Sequence, residues 1–214
     1  MINPVCKTVD FCCYAVHIYT MKTIERRREK LKNAVLFFVK NDSTVGLTKL
    51  MKLLFYLDFR LFRECGESLT GQIYEAWQFG PVPADVWREL HDKGDCQLGL
   101  SSVIKVTPVK SDPRDEATGI KLSVLPKAKF SDRLFTGREL RELRNISEMF
   151  KGVPAKTVVK AAHQKSDPWD VTLKQYGEKS VIDYELALSG LGDEETSYIH
   201  EVRDDAALLE SLLG

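Results

Sequence analysis

Side chains able to do chemistry are few in this sequence, and they are scattered. Its four histidines are His17, His91, His163 and His200. None lies in H-E-x-x-H, in H-x-E or in a Cys/His spacing that holds zinc. The cysteines, Cys6, Cys12, Cys13, Cys65 and Cys96, form an odd set with no C-x-x-C. That pattern reads as a reduced, cytosolic protein with incidental thiols. Cys12, Cys13 and His17 could touch on a helix, but two adjacent cysteines cannot share one face well, so no metal ligands are assigned. No glycine-rich phosphate loop, dinucleotide fingerprint or G-x-S-x-G is present. The acidic residues stand mostly at helix starts or on solvated faces, so no catalytic carboxylate pair can be picked out. The expectation is a protein that is not an enzyme, with no catalytic, cofactor-binding or metal-binding residues.

One cluster invites a sharper reading. His163 stands shortly before Asp167-Pro168-Trp169. It could bind or transfer a proton beside an aromatic ring, or it could hydrogen-bond the following turn while Trp169 packs beneath. The second reading is favoured, because no base, nucleophile or metal partner is identifiable. Trp77 and Trp87 read as core or rim aromatics. The run Arg26, Arg27, Arg28, Lys30, Lys32 could contact nucleic acid, but neither a recognition motif nor interleaved aromatics support that over a solvated helix face.

These residues must be positioned by a chain of 214 residues with 43% hydrophobic side chains, enough for a real core. Net charge is zero, which argues against a protein that coats nucleic acid. No apolar run is long enough to span a membrane. Charge is nevertheless polarised. Residues 21–65 hold 11 Lys/Arg against 5 Asp/Glu, and residues 183–214 hold 9 Asp/Glu against Arg203 alone. Such poles point to a charged partner surface or to pairing within the molecule.

Apolar spacing predicts a helix over Thr23–Lys40 and a second over Leu47–Arg63. The second is apolar almost all round and therefore central, with Lys49 and Lys52 reaching solvent on extended stems. Residues 69–80 are β-favouring and end at Gly80-Pro81. Pro83 suits the first position of a helix that runs to about Lys93. Val103–Val109 and Ile120–Val124 alternate as an antiparallel hairpin. Thr136 and Glu139 form a capping box, followed by helices to Phe150, over Ala155–Gln164, from Asp167-Pro168, and over Asp193–Leu213. Val181–Ser189 is read as helical. The fold class is mainly α (α+β), with one small antiparallel β-hairpin or sheet. Met1–Thr20 shows no helical period and is read as a non-core extension, with Met21 as an alternative start. Residues 21–192 form the domain, and 193–214 an acidic amphipathic C-terminal helix.

Three stretches together resemble a known family. Leu47–Tyr56 resembles an "L-x-K-L-L-Y" helix, Glu75–Val82 is similar to "A-W-x-x-G-P-V", and His163 with Pro168-Trp169 is similar to a late "H…P-W" pattern. The family is the Panacea domain, also called SocA-like or GepA-like, and the resemblance covers about residues 29–190. The matching positions are Lys52, Tyr56, Trp77, Gly80, Pro81, His163 and Trp169, expected to be mostly structural. The resemblance implies a cytoplasmic antitoxin that neutralises a cognate protein toxin by direct contact. Some members act as adaptors that deliver the toxin to a protease unfoldase. No catalytic residue is attributed to the common motif, so none is carried over. The alternative is a nucleic-acid-binding regulator that uses the basic first helix.

Overall fold

Helix α2 (Leu47–Cys65) is the axis of the molecule, and thirteen of its nineteen residues are buried. Most of its surface is apolar, and the helices Cys6–Asn41, Gly137–Phe150 and Ala155–Ala161, the start of Asp193–Leu213 and two β-hairpins pack around it. Gly46 precedes it at a point of close approach, where a Cβ would lie 2.8 Å from the Ile120 carbonyl oxygen. Gly66 ends it in the left-handed region (φ 73°) and returns its N–H to the Phe62 carbonyl. This computed structural model describes residues 6–92, 97–110, 118–161 and 167–213, with the side chains of 6–22, 110, 118, 206, 209–211 and 213 left aside.

Helix α1 runs Cys6–Asn41, much longer than the expected Thr23–Lys40. Once the patterned segment is helical, each added residue gains a hydrogen bond at low cost, and no Gly or Pro interrupts residues 6–41. Leu31, Ala34, Val35 and Phe38 bury its inner face. The basic run does not form one face. Lys30 is buried and bonded to Glu139 at 2.6 Å, and Lys32 pairs with Glu29. At 100° per residue, seven consecutive positions go around the helix rather than along it.

Two hairpins are present where one small β element was expected. Strands β1 (Tyr74–Trp77) and β2 (Gly80–Pro83) pair antiparallel through a two-residue turn, Gln78-Phe79. Gly80-Pro81 therefore opens a second strand instead of ending the first. Gly80 at φ 100° makes the tight reversal open to glycine and strained for other residues. Residues 179–182 line the other edge of β1: Ala76 donates to Ser180, Lys179 to Ala76 and Ile182 to Tyr74. Strands β3 (Ile104–Lys110) and β4 (Thr118–Val124) form the hairpin expected from alternation.

Helix α3 (Ala84–Trp87) continues as a π-helical turn through Asp92, with Pro83 as its cap rather than its first residue. Helix α4 (Gly137–Phe150) carries the expected capping box between Thr136 and Glu139. Helix α5 is Ala155–Ala161, α6 is Pro168–Tyr176 and α7 is Asp193–Leu213, with a 3-10 turn at Tyr184–Leu188. The fold is mainly α with a small antiparallel β part. Among the described residues no helix is long and apolar enough to cross a membrane.

Among the described residues the acidic tail makes no ion pair with the basic run of α1. Its first half docks on the end of α2, where Ile199 is buried and Gly66 leaves room for the Ile199 carbonyl and Arg203 Cβ. Glu185 accepts from both His200 and Arg203, and these half-exposed pairs add little beside the packing. Farther along, Leu212 is 72% exposed. Truncation after Gly192 should therefore lower the melting temperature of the isolated protein by several degrees, since Ile199 alone buries a side chain worth about 1.5–3 kcal/mol. An unchanged melting curve would show that α7 is not part of the core.

Candidate functional site

Two lysines expected to reach solvent are buried instead, at 0% (Lys49) and 1% (Lys52) exposure. Both stems lie on buried sides of α2, so each ammonium needs a partner from elsewhere in the chain. Lys49 Nζ donates to Asp42 Oδ2 (2.7 Å), Thr44 Oγ1 (3.0 Å) and the Val153 carbonyl (2.7 Å). Asp42 also accepts from the Thr44 hydroxyl and from the amides of Thr44 and Gly152. Burial opposes ionisation of Asp42, but Lys49, Thr44 and the Gly152 amide outweigh it and hold the carboxyl well below the carboxylate range. This cluster ties the α1–α2 turn to the segment that begins α5.

Lys52 has a poorer environment. Its Nζ donates to the Pro81 carbonyl at 2.9 Å, and burial pushes its pKa down from 10.5 to about 7. Between these values the unfolded chain binds the proton that the folded chain has released, so stability rises with pH across that window. Urea unfolding should show the wild type gaining stability from about pH 7 to about pH 10 relative to Lys52→Met, which lacks the group. Parallel pH dependences of the two proteins would refute a buried, weakly basic Lys52.

The Pro81 carbonyl holds the β1–β2 hairpin against α2, and other motif positions reinforce the join. The Trp169 indole donates to the Trp77 carbonyl at 2.9 Å, so α6 is fastened to the same hairpin. The Trp77 indole donates to Glu75 at 2.8 Å. Trp77 meets Trp87 edge to face at 5.4 Å, and Trp87 stacks on His91 at 4.7 Å. Lys52, Trp77, Gly80, Pro81 and Trp169 are thus brought together around one hairpin. Tyr56 lies a turn along α2, stacked on Phe150, with a buried hydroxyl that finds no hydrogen-bond partner among the described residues. Burial first, and then the charge of Asp167, push its pKa up. His163 lies outside the described residues.

Beside this join opens a groove of about 780 Å³, within the range of ligand sites. Met51 and Lys52 of α2, Trp77, Phe79 and Val82 of the hairpin, and Trp87 of α3 form one side. Lys156, Val159 and Lys160 of α5 form the other, with Glu178 near the turn. Phe79, at the hairpin tip, is 67% exposed.

Residue-level reading of the sequence also missed the buried Asp58. Asp58 is 0% exposed and accepts from the Thr70 amide, the Thr70 hydroxyl and the Tyr74 hydroxyl. Burial pushes its pKa up against these hydrogen bonds. A charged residue between Leu57 and Phe59, on a helix apolar almost all round, was the available signal. Among the described residues no group of three His, Cys, Asp or Glu side chains is placed to hold a metal ion.

No curated protein and no solved structure matches the chain. The family described as "Antitoxin SocA-like, Panacea domain" matches residues 50–170, which span most of α2, both hairpins, α3, α4, α5 and the start of α6. The matched stretch is narrower than the resemblance read from the motifs, but it is more than half of the chain, and it contains the hairpin join and most of the groove wall. The chain belongs to the SocA-like antitoxin family defined by the Panacea domain.

Proposed function

We propose that this protein is the antitoxin of a toxin–antitoxin pair and neutralises a cognate protein toxin in the cytoplasm by direct, stoichiometric binding. The family match over residues 50–170 carries this reading. Neutralisation by contact needs interface area and a few anchoring side chains rather than a reacting centre. The half-exposed tryptophans and the exposed Phe79 are side chains of the kind that anchor interfaces. A nucleic-acid regulator finds less support, because the basic run on α1 is distributed around the helix and partly paired within the molecule.

Residues 21–192 are proposed as the neutralising unit, with 1–20 dispensable for that role. The test is to express the protein encoded by the adjacent open reading frame alone, then with this chain, and then with a chain starting at Met21. Growth arrest in the first case and rescue in the other two are expected. Titrating the purified toxin should end near a fixed molar ratio. Neutralisation at a small substoichiometric fraction would instead indicate catalysis.

A further inference from the structure

We propose that the groove between α2, the β1–β2 hairpin and α5 receives an acidic, apolar segment of a partner polypeptide, with Phe79 and Trp87 gripping its apolar side chains and Lys156 and Lys160 pairing with its carboxylates. The identification of that partner as the toxin rests on the antitoxin reading. The chemistry of the segment rests on the groove alone.

The apolar part follows from the walls. Met51, Val82, Trp87 and Val159 face the space, and its lip is Phe79. The two-residue turn asks for glycine only at Gly80, where φ is positive. A polar residue at position 79 would serve the turn equally well, so a phenylalanine 67% exposed there is not required by the fold.

The acidic part follows from charge. Lys156 and Lys160 are four residues apart on α5, hence on one face, and both are exposed. Neither makes an ion pair among the described residues. Against these two lysines the groove holds one carboxylate among the described residues, Glu178, which accepts from the Gln78 amide. A segment carrying Asp or Glu among apolar residues complements this set. Phosphates would satisfy the lysines too, but the indoles are poorly arranged for bases. Trp87 already stacks on His91 and meets Trp77 edge-on, a packed pair rather than a row of open platforms.

The test pans a random peptide library on the full-length protein and follows binding of a synthetic copy of the selected peptide by tryptophan emission, since Trp77 and Trp87 line the groove. The selected peptides should combine Asp or Glu with large apolar residues. K156E/K160E, changed at exposed positions, should weaken binding by roughly tenfold or more and should enrich Lys/Arg peptides when panned itself. Phe79→Ser should weaken binding without that switch, and melting curves of all three proteins should coincide. Peptides with no charge preference, or unchanged affinity in K156E/K160E, would overturn the proposal. So would a stronger response to a single-stranded oligonucleotide, or to a peptide copying residues 198–214 of this chain. Neutralisation separates the two readings. If the wild type and all groove variants neutralise the toxin equally, the groove is not its dock and the antitoxin reading survives. If no toxin is neutralised but the peptide results hold, the antitoxin reading fails and the assigned groove chemistry stands.

Discussion

Leu54→Asp is expected to abolish folding. Leu54 is fully buried at the middle of α2, in a core shared with Leu50, Leu53, Leu57 and helices from both ends of the chain. Truncating such a leucine costs about 2–5 kcal/mol through lost transfer energy and the cavity left behind. A carboxylate in its place adds the desolvation of an unpaired charge, several kcal/mol more. The sum rivals the total stability of an ordinary domain, about 5–15 kcal/mol. The variant should be found in the insoluble fraction, with no cooperative unfolding transition by circular dichroism in any soluble remainder. Leu54→Ala should fold, with a urea midpoint lowered in proportion. A soluble, cooperatively melting Leu54→Asp protein would mean that α2 is not the central helix.

Asp42→Ala should have the next largest effect, about 3–5 kcal/mol, because it leaves the Lys49 ammonium buried without its counter-charge. The loss should be felt beyond the turn itself. Asp42 also accepts from the Gly152 amide, and Lys49 donates to the Val153 carbonyl, so the approach to α5 and one wall of the groove loosen together. The double variant D42N/K49M should recover much of the deficit, since it removes the stranded charge along with its partner. The wild type should also be acid-sensitive in a defined direction. The folded carboxyl is held below its ordinary 3.8, so its contribution is complete above that value and is lost as the pH falls below it. Urea denaturation of the three proteins across the acid range decides the matter. Equal acid sensitivity in wild type and D42N/K49M would place the sensitive group elsewhere.

Both large effects concern residues of a single short segment, Asp42–Leu54, but they differ in how legible they were. The burial of Leu54 follows from local pattern: Leu47, Leu50, Leu53, Leu54, Leu57 and Leu61 recur along α2 at helical spacing and mark the side that avoids water. The same kind of local signal located the β3–β4 hairpin, through alternation, and the start of α4, through the Thr136/Glu139 box, where donor and acceptor lie three residues apart. Trp77-x-x-Gly80-Pro81-Val82 also carried the family resemblance, although the hairpin these residues build was read only as a strand ending at Gly80-Pro81.

The fates of the charges were decided only by tertiary structure. Lys49 and Lys52 could be buried because the Val153 and Pro81 carbonyls, 104 and 29 residues away, arrive to receive them. Asp58 is satisfied by Thr70 and Tyr74, and Lys30 by Glu139 across 109 residues. A side chain's own neighbourhood in sequence records none of these partners. For the same reason the groove could not be foreseen: its walls come from α2, the hairpin, α3 and α5, each of which looks like an ordinary amphipathic or buried element taken alone. Periodicity determines which face of an element avoids water, because that depends on spacing along one chain segment. Which polar groups meet inside, and which apolar surface is left uncovered, depend on how distant segments close on one another, and that is a property of the folded chain.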